Sequence, residues 1–206
     1  MTQTARASLW GLLTRPPFIL GPMETYEAIT TRRSVPKVTD RRPDAATIRR
    51  LLDAGVRAPT HHLTQPWRFI VLTGEALNEL GEAWASGAAR EGKDPESVRD
   101  KPLRAPVIVT VIETPKHHLP KVQEIEEHHS VGAAMQNVLL AAHDMGLGAM
   151  LRTGPAAHIP EVHDYLGLGE GELVAGYIYV GYPESDSDRP QTRRTDADDI
   201  TEWRGW

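Results

Sequence analysis

The segment Pro106–Ile112 constrains the fold more than any other part of this 206-residue sequence. Its residues are apolar except for Thr110, so a strand formed here has no polar face to turn toward water. Strands of this kind occur where both faces of a sheet are covered. The sequence therefore predicts a central strand with other elements packed on either side of it.

Helical and β-prone patterns alternate irregularly around this strand. Hydrophobic spacing and capping residues predict helices from Met23 to about Ser34, from about Asp44 to Pro59, around Leu77–Trp84, over 122–145 and over His158–Leu166. Further strands are predicted at Trp67–Leu72, Ala149–Leu151 and Leu173–Tyr182. The order of these elements favours a single domain whose sheet is covered by helices on both faces.

Two of the predicted helices carry informative faces. In the second helix, apolar residues between Ile48 and Val56 lie at helical spacing and are expected to share a buried face. The helix over 122–145 is apolar on more than one side and has small residues at Val131–Met135. Such a helix is buried either in the core of its own chain or against a second subunit.

The absence of cysteine excludes several kinds of chemistry. The chain cannot form disulfides, use a thiolate nucleophile, or hold a Cys-ligated zinc ion or iron–sulfur cluster. Any redox reaction must therefore use a bound cofactor. The lack of disulfides is compatible with the cytoplasm, where we expect the protein to reside.

Charge and hydropathy limit the partners. The net charge of −5 argues against a generic nucleic-acid binder, and no apolar run approaches the ~20 residues of a membrane span. Residues 1–57 nevertheless hold ten Arg and Lys against five Asp and Glu. This basic region favours a small phosphate-bearing ligand, with no nucleic acid and no membrane as partner.

Three segments could carry a binding site. Arg32-Arg33-Ser34 could bind a phosphate, because guanidinium forks match its oxygens, or could simply complement a helix C-terminus. The loop from Arg57 through His61 to Trp67 could hold ligand groups or be a polar connection. Arg152-Thr153-Gly154 could offer a guanidinium and backbone N–H groups or form an ordinary turn.

Other site types lack their motifs. Adjacent histidines, such as His61-His62 and His128-His129, point about 100° apart on a helix and cannot readily chelate one metal, so we expect no metal site. No phosphate loop of the G-x-x-x-x-G-K type and no G-x-S-x-G elbow occurs. Nucleotide hydrolysis and serine-esterase chemistry are therefore not indicated.

Taken together and in this order, the three segments resemble the nitroreductase family of flavin enzymes, in particular its compact single-domain bacterial NAD(P)H nitroreductases. The resemblance extends from about Met23 to Pro183. Its motifs are Thr31-Arg32-Arg33-Ser34, Arg57-Ala58-Pro59, His61, Gln65-Pro66-Trp67, Arg104-Ala105-Pro106, Gly146-Leu147-Gly148, Arg152-Thr153-Gly154, Gly176-Tyr177 and Gly181-Tyr182-Pro183.

The resemblance implies an α+β fold, a three-layer α/β/α sandwich, in a homodimer with FMN at the subunit interface. It implies that Arg32, Arg33 and Ser34 bind the phosphate and ribityl chain, and that Arg152, Thr153 and Gly154 complete the flavin site. Arg57 and His61 would reach the flavin from the neighbouring subunit. The 122–145 helix would then be the dimer helix.

The implied reaction is electron transfer from NAD(P)H, through FMN, to a nitroaromatic, quinone or similar small acceptor by a ping-pong mechanism. No catalytic side chain is then needed, because the flavin carries the chemistry. Two alternatives are another flavin reaction on this fold, such as reductive dehalogenation or an oxidase-like step, and an FMN-binding storage or sensor protein without efficient turnover.

The resemblance also divides the chain. Residues 1–22 are expected to be an N-terminal extension, residues 23–183 the FMN-binding domain, and residues 184–206 an acidic C-terminal tail. The family often has a Lys/Arg pair near the C-terminus; Arg193-Arg194 lies within the acidic tail and is not assigned to the site. Leu63 stands where many members have a small polar residue.

Overall fold

Strand β2 (Val107–Glu113) lies inside an antiparallel sheet. A computed structural model describes residues 23–184 and 193–206, and within these ranges the sheet has four strands. Strands β1 (Trp67–Thr73) and β4 (Leu173–Gly181) flank β2, and β3 (Gly148–Arg152) pairs with β4 in the order β1-β2-β4-β3. Every residue of β2 is buried, which confirms the predicted central strand.

The helices flank the sheet on both sides. Their bounds are α1 Thr25–Thr31, α2 Ala45–Gly55, α3 Glu75–Arg90, α4 Glu96–Arg99, α5 Glu124–Asp144 and α6 Pro160–Leu166. Within the described ranges, no helix is long and apolar enough to cross a membrane.

The two faces of β2 meet different helices. Val107, Val109 and Val111 belong to the core formed with α2 and α5, whereas Ile108 and Ile112 belong to the core formed with α3 and α6. Burying each of these side chains contributes roughly 1.5–3 kcal/mol. The helix–sheet–helix arrangement is the predicted three-layer α+β sandwich.

Helix α5 has one side in its own core and another side open. Ala134 and Val138 are fully buried, and Gly55 of α2 allows close approach because a Cβ there would lie 3.0 Å from Val138 Cγ2. On another side, Ile125 is 53% exposed, and a Cβ at Gly132 would meet no atom within 4 Å. The inner side of α5 therefore packs in the core of its own chain, which is one of the two alternatives predicted for this helix.

Two helix ends differ from the prediction. Helix α1 ends at Thr31 instead of Ser34, because the chain turns extended at Arg32 and Val35 N–H donates a hydrogen bond to Ala149 O of β3 (3.0 Å). Pro36 favours this extended path, since the residue before a proline avoids the helical region. Helix α2 ends at Gly55, which leaves Val56 43% exposed rather than on the buried face.

Candidate functional site

The Arg32–Ser34 segment lies beside the C-terminal end of α5. Thr31 Oγ1 donates to Glu27 O (2.6 Å) and lies 2.8 Å from His143 Nε2, so the imidazole must donate to this oxygen. Burial lowers the pKa of His143, and the charges of Arg32 and Arg33 lower it further. Arg32 and Arg33 thus place positive charge beside His143, while the carboxylates of Asp144 and Glu27 act in the opposite direction.

A C-terminal arginine joins this cluster. Burial lowers the pKa of the Arg32 guanidinium, and the charge of Arg194 lowers it again. Arg194 was not assigned to the site from the sequence, because the acidic tail obscured its match. The structure brings it close to Arg32, and the crowding of positive charge would be relieved by a bound phosphate.

A cavity with a volume of about 670 Å³, here called the main cavity, opens beyond the end of β3. Helix α3, the turn at Lys101–Arg104 and the turn at Pro155–His158 form its walls. Its lining includes Trp84, Ala88, Lys101, Arg104, Arg152, Thr153, Ile159, Tyr177 and Tyr179. Arg152 and Thr153 of the predicted site thus line one cavity, with Gly154 next in the chain.

Aromatic and cationic groups meet at one wall of the main cavity. The Arg152 guanidinium carbon lies 5.6 Å from the centre of the Tyr179 ring. The Tyr179 hydroxyl is buried and makes no hydrogen bond with any described residue. Burial raises the pKa of Tyr179 to about 12, although Arg152 and Arg104 act in the opposite direction. This hydroxyl is neutral near pH 7 and can donate a hydrogen bond to a ligand.

The first and third predicted segments lie at the same edge of the sheet. A crevice between them is lined by Val35 and Pro36, which directly follow Ser34, and by Arg104, Arg152 and Tyr179. Arg104 belongs to one of the family motifs but has no role predicted from the sequence, and Lys101 and Tyr179 are not among the predicted site residues. Their signal was weak, because nothing local distinguishes a cation that faces a cavity from one that faces solvent.

The Thr60–Gln65 loop, here called the His61 loop, lies near the N-terminal end of α5. His61 Nε2 is 3.7 Å from Glu126 Oε1, and Arg57 is exposed just beyond α2. Three residues of the loop that are not glycine have positive φ, namely His62 (50°), Leu63 (54°) and Gln65 (44°). Such strain costs on the order of 1–3 kcal/mol per residue and is concentrated at functional sites.

Helix α5 separates the His61 loop from the Arg32–Ser34 segment. The 17 residue-to-residue steps from Glu126 to His143 correspond to about 25 Å of helix at 1.5 Å per step. Within one chain, the structure therefore does not bring Arg57 and His61 together with Arg32, Arg33 and Ser34.

Comparison with known proteins identifies the family. The sequence profile described as "Nitroreductase family" matches residues 29–182. The protein named "Putative NAD(P)H nitroreductase YdjA" of Escherichia coli (strain K12) is 32% identical over 166 residues, which covers 79% of this chain and 90% of that protein. The chain belongs to the nitroreductase family. The resemblance read from the sequence is therefore confirmed.

Solved structures agree with this nitroreductase assignment. A nitroreductase-like family protein from Bacillus cereus shares the fold with a TM-score of 0.77 at 24% identity, covering 91% of this chain and all of that one. A "putative nitroreductase in complex with fmn" from Desulfovibrio desulfuricans has a TM-score of 0.67 at 26% identity, covering 88% of this nitroreductase and 96% of that chain.

Proposed function

We propose that this nitroreductase-family protein is an FMN-dependent oxidoreductase that transfers electrons from NAD(P)H to a nitroaromatic, quinone or similar small acceptor. The observation that carries the proposal is the positive cluster of Arg32, Arg33 and Arg194. This cluster lies close in the chain to Val35 and Pro36, which line a crevice together with Arg152 and Tyr179 of the main cavity. The names of the E. coli and Desulfovibrio relatives support NAD(P)H and FMN.

The residues present fit FMN. Arg32, Arg33 and Ser34, with Arg194 beside them, supply charged and hydroxyl donors for a phosphate. Tyr179 lines both the crevice and the main cavity, and its buried hydroxyl has no hydrogen-bond partner among the described residues. Gly154, at φ 110°, leaves open space where a Cβ would stand, so a ligand can approach the backbone there.

When bound, FMN supplies the hydride chemistry, so the chain needs no catalytic acid or nucleophile of its own. The side chain of Arg152 is placed to stabilise negative charge at the inner end of the main cavity. The apolar wall formed by Trp84, Ala88 and Ile159 limits water there. Because one cavity would serve both substrates, the oxidised nicotinamide leaves before the acceptor enters, which is a ping-pong order.

The proposed site is shared between two chains. The His61 loop lies about 25 Å of helix away from the phosphate donors of its own chain. A second copy packed on the open side of α5 would bring Arg57 and His61 to the partner's flavin. We therefore propose a homodimer with two such sites.

Mixed dimers test the shared site directly. Arg33→Ala damages the phosphate side and Arg57→Ala damages the loop side, so each variant alone should bind FMN weakly at both sites. In a mixed dimer both damaged sides fall in one site, and the other site is intact. We expect differently tagged, co-purified mixed dimers to regain one tight FMN site. Mixed dimers without a tight site would contradict the shared arrangement.

Turnover tests the reaction itself. We expect repeated NAD(P)H oxidation in the presence of a quinone or nitroaromatic acceptor. A single stoichiometric bleaching of the flavin, followed by no further NAD(P)H consumption, would instead indicate a storage or sensor protein.

A further inference from the structure

The lining of the main cavity carries more cationic than acidic side chains. Lys101, Arg104 and Arg152 line it, and no carboxylate of the described residues forms an ion pair with any of them. By contrast, Lys93 on the same lining pairs with Glu91 at 2.6 Å. Three unpaired cations around one cavity stand out in a protein whose net charge is −5.

The local backbone explains why two of these cations face the cavity together. Lys101 and Arg104 are the first and last residues of a 3₁₀ turn. Side chains three residues apart in a 3₁₀ helix lie on the same side, because this helix has three residues per turn. Both side chains therefore line the main cavity while Pro102, between them, is buried.

The main cavity also has apolar and aromatic lining residues, among them Trp84 and Tyr177, beside the polar Ser97 and Thr153. Trp84 and Tyr177 pack edge to face with ring centres 5.4 Å apart, and Tyr177 Oη donates to Ala156 O (3.0 Å). These contacts fix two aromatic rings in the lining that also contains the cationic turn. The combination suits a planar aromatic ring with a negative group at one edge.

We propose that the main cavity selects electron acceptors that are aromatic rings bearing a carboxylate or a similar anionic group, with Lys101 and Arg104 binding that group. The inference rests on the proposed function and names its substrate class. For a nitrobenzoate the balanced reaction is Ar–NO₂ + NAD(P)H + H⁺ → Ar–NO + NAD(P)⁺ + H₂O. The carboxylate takes no part in this chemistry and serves only recognition.

The test compares two acceptors of nearly equal shape, 4-nitrobenzoate and 4-nitrobenzamide, with the FMN-loaded protein. We expect a higher kcat/KM for the carboxylate. Lys101→Gln and Arg104→Gln should each reduce kcat/KM for 4-nitrobenzoate about tenfold or more, the loss expected for one charge-assisted hydrogen bond. The value for 4-nitrobenzamide should stay unchanged. Arg50→Gln, an exposed site on α2, controls for the change in net charge.

Binding without turnover gives a second readout. Benzoate should bind the loaded protein more tightly than benzamide by calorimetry, and both Gln variants should remove the difference. Equal kcat/KM for the two acceptors in the unsubstituted protein would overturn the inference but leave the proposed function standing. Loss of FMN from the Lys101 or Arg104 variant would assign these cations to the cofactor and also overturn it. If no acceptor is reduced, the proposed function is wrong. Tighter binding of benzoate than of benzamide would then still support the anion site, and equal binding would overturn it.

Discussion

The two ends of α5 have opposite electrostatic environments. At the N-terminal end, Glu124, Glu126 and Glu127 occupy the first turn, and a hydrogen bond to Glu113 raises the pKa of His128. At the C-terminal end, burial and the nearby arginines lower the pKa of His143. Two histidines of one helix thus have pKa values shifted in opposite directions.

This difference shows what each end can bind. Acidic side chains near a helix N-terminus and cations near its C-terminus both complement the helix dipole, so each cluster is stable where it lies. A phosphate is repelled by the acidic end and attracted by Arg32 and Arg33 at the other. The His61 loop, beside Glu126, is therefore unsuited to bind phosphate, and its contribution must be to another part of a ligand.

The largest effect is expected from disrupting the proposed dimer, which would bring the His61 loop of one chain to the Arg32–Ser34 segment of the other. Gly132→Glu places a charge on the open side of α5, where the isolated chain has room for it. In a packed interface this unpaired charge should cost about 3 kcal/mol or more, roughly a hundredfold in the dimer dissociation constant. Dimer content and FMN occupancy should fall together in sedimentation velocity, and excess FMN should restore dimer by linkage.

The matched control for Gly132→Glu is Ser86→Glu, an exposed position on α3. A fully monomeric Gly132→Glu protein that binds FMN as tightly as the unsubstituted protein would place the whole cofactor site in one chain. A variant that stays dimeric would exclude this side of α5 as the interface.

The second-largest effect is expected from removing the arginines beside the C-terminal end of α5. Arg32→Ala and Arg33→Ala each remove a charge-assisted hydrogen bond worth about 1.5–3 kcal/mol, so FMN should bind about ten- to a hundredfold more weakly. The circular dichroism spectrum should not change, since both side chains lie outside the described cores. Fluorescence titration with FMN measures the affinity, and Arg50→Ala is the control. Unchanged affinity in both variants would remove the phosphate assignment.

A smaller effect is expected on the pKa values of the two histidines when FMN binds. The phosphate of bound FMN would offset the charges of Arg32 and Arg33, so the pKa of His143 should rise on binding while that of His128 stays constant. By linkage, FMN affinity should increase as the pH falls through the titration of His143. NMR titration of the imidazole C–H signals, with and without FMN, measures both. A stationary His143 in the loaded protein would contradict the assignment.

The smallest effect concerns the acidic end alone. Because the folded pKa of His128 is raised, its stabilising contact with Glu113 is fully present below the unfolded value of about 6.5 and is lost as the pH rises through the folded value. His128→Gln should reduce the free energy of unfolding in urea more at acidic than at alkaline pH. The exposed His118→Gln should show no such trend. A pH-independent difference would mean that the contact is unimportant.

The sequence by itself determined the local elements. Val107–Ile112 has no polar face, so burial on both sides followed without knowledge of its neighbours. Asp44 accepts a hydrogen bond from Thr47 N–H (2.7 Å) and begins α2 where the capping pattern placed it. The Arg32–Ser34 segment was recognisable because its three donors are adjacent in the chain. These properties depend on neighbouring residues only.

Only the tertiary structure decided where these elements meet. Pairing with β3 ends α1 at Thr31, and the packing of α5 places the His61 loop and the Arg32–Ser34 segment at opposite ends of one helix. Lys101, Arg104 and Tyr179 come from two distant segments that the sheet and the 3₁₀ turn bring to one cavity. Such contacts depend on strand order and on which helix covers which face. A one-dimensional pattern records the burial of each residue but not the identity of the partner that buries it.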